Sequence, residues 1–359
     1  ETSKTFDVGL DAGFLNGRLN LTADYYIRKT VDMYTVGPTL PDTFGATAPK
    51  GNYADMSTYG YEIALSYNDS FKLAGKPFNF GIKATLADYY SIIDRYNNAS
   101  RKLSDYYEGQ RLGEIWGFVC NGLFQSQAEI DAAFGGKGYK NDIMQTSEKY
   151  ITYPGDMRFE DLNGNDAIDR GSSTVDDPGD REIIGNSQPR YHYGATLALQ
   201  WAGIDFSIFF QGIGRQDWYP AANALAFWGP YARPYATYLP KNFHTQIWSE
   251  ENPNSYFPRP RGYTAMKGTN RELTAVNDRY LQNIGYCRLK NLTVGYTLPR
   301  QWTRKALIES LRIYFTGENL FTWSGIRSDY IDPEMAATNG NLRLYPWQRT
   351  YMFGVDVTF

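Results

Sequence analysis

Residues 161–169 read Asp161-x-Asn163-x-Asn165-x-Ala167-x-Asp169. Side-chain oxygens at the first, third and fifth positions, a backbone carbonyl at the seventh and a carboxylate at the ninth can wrap a hard cation such as calcium. The stretch departs from a standard calcium loop in two ways. Asp166 stands where glycine would ease the sharp turn. Ser172 stands where a bidentate glutamate closes such loops. The competing reading is an Asx-rich surface turn held by side-chain-to-backbone hydrogen bonds. A calcium ion here would be structural, stiffening a loop, and nothing else in the sequence calls for a cofactor.

A second candidate is the aromatic stretch Trp218, Tyr219, Phe227, Trp228, Tyr231, Tyr235, Tyr238 and Trp248. Aromatic faces are large and cost little entropy to order, so Trp218, Tyr219, Trp228, Tyr231 and Tyr235 could stack on sugar rings or grip a peptide. Packing among loops or against a partner, or anchoring in a membrane girdle, would use the same residues. His192 and His244 are the two histidines. Without a His-Glu-x-x-His pattern a zinc hydrolase is disfavoured, and neither a Gly-x-Ser-x-Gly elbow nor a phosphate-binding glycine loop occurs. No carboxylate pair stands apart as a glycosidase site. The reading is therefore of a protein that is not an enzyme.

The elements that must carry these residues are strands. In the last twelve residues Tyr351, Phe353, Val355, Val357 and Phe359 alternate with Met352, Gly354, Asp356 and Thr358. Period-two alternation makes one face greasy and leaves the charge on the other. The same pattern predicts nine strands, near residues 4–14, 18–28, 59–67, 78–86, 191–201, 204–210, 281–298, 311–316 and 351–359. The apolar register slips by one between Leu289 and Leu292, which predicts a bulge. A short helix is expected after Ser126.

Composition points the same way. Aromatics make up 16% of the 359 residues, with 30 Tyr and 8 Trp, yet mean hydropathy is only -0.51. A membrane β-barrel needs that combination, with girdles outside and polar residues inside. No run is long and apolar enough for a membrane helix. With a net charge of -3 and no basic stripe, nucleic acid is not an expected partner. Cys120 and Cys287 exclude a disulfide framework but leave a single bridge undecided.

Two regularities favour a transmembrane antiparallel barrel over a soluble sandwich. Strand charges fall mostly on the non-apolar face: Asp7, Asp11, Asp24, Glu62, Lys83, Asp205, Arg312, Glu318 and Asp356. Connections also alternate short and long, with long loops at 30–56, 88–188, 214–279 and 320–347. Outer-membrane barrels have short periplasmic turns and long extracellular loops. With a periplasmic C-terminus, every long loop lands outside. Nine strands are an odd, unclosed set, and the chain opens almost inside a strand, so it is expected to be the C-terminal part of a larger barrel.

Several stretches resemble the SusC-like branch of the TonB-dependent outer-membrane transporters of Bacteroidetes. They are Tyr286-Cys-Arg-Leu-Lys-Asn-Leu-Thr-Val-Gly-Tyr-Thr-Leu-Pro299, Leu311-Arg-Ile-Tyr-Phe-Thr-Gly-Glu-Asn-Leu-Phe-Thr-Trp323, Asp332-Pro-Glu334 and Tyr345-Pro-Trp-Gln-Arg-Thr-Tyr351. Gly155-Asp156 with 161–169 and Asp180-Arg-Glu-Ile-Ile-Gly-Asn186 is similar to another signature, and Gly109-Gln-Arg-Leu-Gly-Glu-Ile-Trp-Gly-Phe118 with Asn121-Gly-Leu-Phe124 to a third. The resemblance implies a barrel of about 22 strands, of which these are the last nine. It implies TonB-dependent import of a large nutrient, an oligosaccharide more commonly than an oligopeptide. It also implies an N-terminal plug and TonB-binding segment outside this chain, a SusD-like surface lipoprotein as partner, and the lipid bilayer as surroundings. In that comparison the later carboxylate of the calcium-like loop is displaced to Asp180, and Phe359 resembles the C-terminal aromatic signal read by the barrel-assembly machinery. A passive porin-like or structural barrel, and a soluble calcium-binding glycan-recognition β-sandwich, are the alternatives.

Overall fold

The structure, a computed structural model, describes residues 1–37, 43, 45–46, 49–133, 140–141, 152–233, 235, 239, 241–261, 266, 272–338, 345 and 347–359. Nine long strands form one sheet: β1 (Thr2–Phe14), β2 (Leu19–Val36), β3 (Lys50–Leu73), β4 (Lys76–Arg95), β5 (Arg190–Trp201), β6 (Ile204–Arg215), β7 (Tyr286–Thr297), β8 (Ser310–Ser324) and β9 (Thr350–Thr358). Each is antiparallel to the next in sequence, so the sheet is a plain meander. A single nine-stranded sheet replaces the two packed layers that a sandwich would need. Among the described residues β1 pairs only with β2, and β9 only with β8.

The register keeps the two faces apart across the sheet. One row runs Ala12, Leu21, Leu65, Ala84, Ala195, Phe210, Leu289 and Phe321. The adjoining row on the opposite face runs Asp11, Thr22, Ala64, Thr85, Gly194, Gln211, Arg288 and Thr322. Apolar side chains on the first face stand bare, with Phe6 62% and Phe353 82% exposed. A face this apolar and this open is suited to lipid, where the polar face lines a lumen.

Gly295 shows how the lumenal face is tuned. A Cβ there would run into Asp205 and Arg312. The gap lets Arg312 reach across β7, donating to Asp205 at 2.9 and 2.7 Å and to Asp356 at 3.0 Å. Three strands are thus tied on the wet side of the sheet. Aliphatic pairs such as Ile313 with Val355 share the other side.

β2, β3 and β4 extend well beyond the alternating stretches from which they are predicted. They have 18, 24 and 20 residues, against about ten needed to cross a membrane. The reason lies in what replaces lipid above it. There the ladder continues on polar partners: Arg95 bridges Asp55 and Asp32, and Tyr59 stacks on Tyr90. Period-two apolarity marks only the bilayer-crossing part. The expected loop at 30–56 accordingly shrinks at both ends, and β8 reaches Ser324. The bulge falls where the pattern places it: the pairing to β6 jumps from Asn291 to Leu289, leaving Lys290 as the extra residue.

Candidate functional site

Three long connections rise from one end of the sheet and pack on each other. The first carries two small antiparallel pairs, Glu114–Phe118 with Arg181–Asn186 and Cys120–Leu123 with Met157–Phe159. It also carries the predicted helix, Gln127–Ala133, whose Ser126 hydroxyl accepts from the Glu129 amide at 3.2 Å. The second holds a short helix, Leu225–Trp228, followed by helical turns. The third holds Pro333–Ala336, capped by the Asp332 carboxylate. Residues from all three meet in one apolar cluster that includes Phe118, Met157, Trp228, Phe257, Tyr280 and Ile331.

That cluster decides the aromatic candidates. Trp228 and Tyr231 are almost wholly buried. The Trp228 indole donates to Ala221 O at 3.0 Å, and the Tyr231 hydroxyl to Pro258 O at 2.5 Å. Tyr219 donates to Leu273 O at 2.8 Å and receives from the Asn277 amide at 2.8 Å. The ring faces of Trp228 and Tyr231 meet protein, with Trp228 lying against Phe227 at 4.8 Å and Tyr280 at 5.2 Å. Stacking on a ligand from these two rings is therefore not available in this arrangement. Trp218 is half-buried at the edge of the cluster, and Tyr235 is 80% exposed. Tyr238 lies outside the described residues. The apolar periodicity of a loop is too irregular to reveal which aromatics turn inward.

The calcium-like stretch is brought together as a single tight turn. Asp161 accepts from the amides of Gly164 at 2.7 Å, Asn165 at 3.2 Å and Asp166 at 2.8 Å. Asn163 and Asn165 accept from Asn165 and Ala167 in turn, and Asp169 from Gly171. Asp166 adopts φ +61°, taking the role of the missing glycine; aspartate tolerates the left-handed region better than most residues. Asp180 takes a different place. It is fully buried behind the turn, and its two oxygens grip the amides of Leu162 at 2.8 Å and Asp169 at 2.7 Å. Burial pushes its carboxyl up. Its observed role is to hold the turn's backbone. Among the described residues no group of three or more His, Cys, Asp or Glu side chains converges as a metal cluster.

Other polar groups carry no comparable signal in the sequence. The bulge at Lys290 sets Arg288 and Lys290 beside the third connection. Arg288, fully buried, donates to Asp332 at 2.7 and 2.8 Å, and Lys290 reaches Glu334 at 3.1 Å. A bulge followed by an Asp-Pro-Glu helix start is the pattern that could pair them. Gly155, at φ +91°, lies under the Trp248 ring where a Cβ would collide with it. The adjacent Asp156 carboxylate is buried against Arg261. Glu272 is buried beside them, receiving the Met157 amide. On the lumenal face, Asn68, Asn79, Gln200, Asp205 and Ser207 line a hollow of about 720 Å³. His192 lines another, of about 380 Å³, with Asp24 and Glu62. Cys120 and Cys287 are free thiols.

No protein-family model matches the chain. Over 380 residues it is 28% identical to TonB-dependent receptor P3 of Formosa agariphila, covering all of this chain and 34% of that protein. It is 23% identical over 370 residues to TonB-dependent receptor SusC of Bacteroides thetaiotaomicron, covering all of this chain and 32% of that protein. The chain is similar to SusC along its whole length. It spans about a third of the curated relatives it matches. A solved structure described as the RagAB peptide transporter shares the fold, with a TM-score of 0.66 at 19% identity over 99% of this chain and 35% of that one. The nine-stranded sheet thus shares its fold with part of a solved transporter, and the curated relatives are described as TonB-dependent receptors.

The buried carboxylates give the loop cluster a pH dependence. Burial, reinforced by Asp156, pushes the Glu272 carboxyl up to about 8. The folded cluster therefore holds a proton that the opened chain releases between the usual carboxylate range and about pH 8. Stability of the cluster is greatest on the acid side, falls as pH rises through that window, and then levels off. Glu272→Gln should flatten the slope, leaving the smaller part due to Asp156, whose carboxyl burial also pushes up. Amide exchange near Trp228 and Tyr231, compared between the two proteins at equal pH, should show the variant increasingly better protected as pH rises. Parallel profiles would contradict it.

Proposed function

We propose that this chain forms the last nine strands of a TonB-dependent transporter barrel, and that the whole protein actively imports a large nutrient across the outer membrane. The observation that carries this reading is a meander with one unbroken apolar face and two outer edges that lack partners among the described residues. Open edges are not stable in lipid, so further strands must close the barrel. The match to about a third of each relative supports placing those strands, the plug and the TonB-binding segment elsewhere in the protein. The long connections face outward, the short turns and the C-terminus face the periplasm, and the chain performs no covalent chemistry.

A SusD-like lipoprotein is the proposed lid over the loop cluster. Tyr235 and Trp218 are its candidate contacts, or the cargo's, while Tyr219, Trp228 and Tyr231 shape the cluster from within. An oligosaccharide is the first cargo class, supported by the amides and hydroxyls lining the larger lumenal hollow. An oligopeptide is the second, favoured by the peptide named in the description of the RagAB fold neighbour. Uptake of labelled oligosaccharides and oligopeptides by cells carrying the full-length protein tests both. Import should stop when the plug or the inner-membrane energy supply is removed. Continued uptake would leave a passive barrel as the better reading.

The turn at 161–169 is proposed to take a structural calcium ion through Asp161, Asn163, Asn165, the Ala167 carbonyl and Asp169, without Asp180. Terbium luminescence excited through nearby aromatics should be lost in Asp161→Asn. In Asp180→Asn the ion should still bind, although the turn should loosen. Absence of any terbium or calcium response would leave only the Asx turn. Phe359 is proposed as the assembly signal: its deletion should lower the amount of heat-modifiable, membrane-inserted protein while synthesis continues, and normal insertion would count against it.

A further inference from the structure

The short-turn end of the sheet carries a charge imbalance that the transport reading does not use. Arg18 is paired with Asp69 at 3.0 Å, and Arg300 is paired with Glu309. Those two pairs neutralise the acids of these turns. Lys76, Arg304 and Lys305 remain exposed and make no ion pair among the described residues, and Lys72, likewise unpaired, shares the lumenal face of Asn68 and Ser70. At the opposite end Arg95, Arg190 and Arg288 are each bound to carboxylates, while the exposed Lys29, Lys50 and Lys102 make no ion pair either among the described residues. What distinguishes the turn end is the apolar company its unpaired cations keep.

Large apolar side chains stand among these cations. Leu73 is exposed beside Lys72 in the turn between β3 and β4, and its backbone pairs with Lys76. Trp302 is 63% exposed and Leu307 87% in the turn between β7 and β8. Leu307 ends a helical turn with φ +62°, a position where glycine is the usual residue. In water this leucine would be both conformationally unfavourable and bare. Both turns also lie at the bilayer edge. The second is bracketed by the pairings Thr297 with Arg312 and Ser310 with Thr358, next to lipid-facing Tyr296, Ile313 and Val357.

We propose that these two turns form an anchoring rim for anionic phospholipid, with Lys76, Arg304 and Lys305 on headgroup phosphates and Leu73, Trp302 and Leu307 among the upper acyl carbons. Cations near an anionic surface attract it, and tryptophan is at home where one end is apolar and the other wet. The leaflet is the periplasmic one, which rests on the orientation proposed above. Such a rim fixes the height of the sheet in the bilayer at its turn end. The loop cluster at the other end is then free to serve cargo.

The test uses the full-length protein in nanodiscs of phosphatidylcholine with and without phosphatidylglycerol. Native mass spectrometry should find phosphatidylglycerol retained in preference to phosphatidylcholine at low salt, with the preference fading at high salt. Each cation changed to glutamine should lower the preference by roughly fivefold. Brominated lipid should quench Trp302 fluorescence, isolated as the difference between the wild type and Trp302→Phe. Equal retention of the two lipids, or an unquenched Trp302, would overturn the rim. If the threefold glutamine variant does not assemble, Lys76→Gln alone and the pair Arg304→Gln/Lys305→Gln, with the wild-type salt dependence, decide between the same two outcomes. Orientation is read separately. Leu307→Cys, in a background with Cys120 and Cys287 changed to serine, should resist an impermeant maleimide on intact cells. Labelling there would overturn the periplasmic leaflet, and the nanodisc result would still report on lipid preference.

Discussion

A backbone amide inside hydrocarbon has no water to bond, and the rest of this molecule follows from that constraint. It forces each strand to find its partner at once, and here each partner is the next strand in the chain. Once the ladder is continuous, side chains are sorted by the pleat alone. One face can be given over to Phe, Val, Leu and Ile, and the other is left for groups that need a polar neighbour. Arg312 is an instance: on the lipid face its charge would be costly, but on the lumenal face it ties β6, β8 and β9 by way of Asp205 and Asp356.

The loops obey the opposite rule. Outside the bilayer, water is available to the backbone, and order must come from burying side chains. The three long connections do this jointly, around Trp228, Phe257 and Tyr280, so that no single loop owns the core. The polar groups trapped with them are handled in different ways. Arg288 is met by two carboxylates, and Asp156 by Arg261. Glu272 is met only by the Met157 amide among described hydrogen bonds, and its neighbour Asp156 discourages ionisation. The cluster is consequently firm in shape but sensitive to protonation.

The legibility of the sequence divides along the same line. Lipid is a uniform solvent, so strands in it repeat one simple code. Tyr351 to Val357 display it openly, and the slip between Leu289 and Leu292 locates the extra residue at Lys290. Above the bilayer the code changes without a boundary marker, and residues such as Asp55, Tyr59 and Arg95 hide the upper parts of β2, β3 and β4. In the loops it fails for another reason. Whether Trp228 is a stacking platform or a core residue depends on Phe227, Phe257 and Tyr280, and their meeting is a matter of long-range folding. Asp180 resembles a ligand because it is an acid at about the right distance in sequence. Its burial beneath the turn, bound to amides, is a tertiary fact.

The unequal strand lengths have a mechanical side. β2 to β4 stand tall, while β5, β6 and β7 have 12 residues each and end lower. The first long connection hangs on the inner upper edge of the tall part, with the Gly109 and Leu112 amides bonded to Ile93 O and Ser91 O at 2.8 and 2.9 Å. Along this arc the outer rim is therefore a ramp with a rigid backrest, and the folded loops lean against it. Force applied to those loops from above would be carried sideways into β4 as shear along its hydrogen-bond ladder, a direction in which many bonds share the strain, and not peeled off one bond at a time.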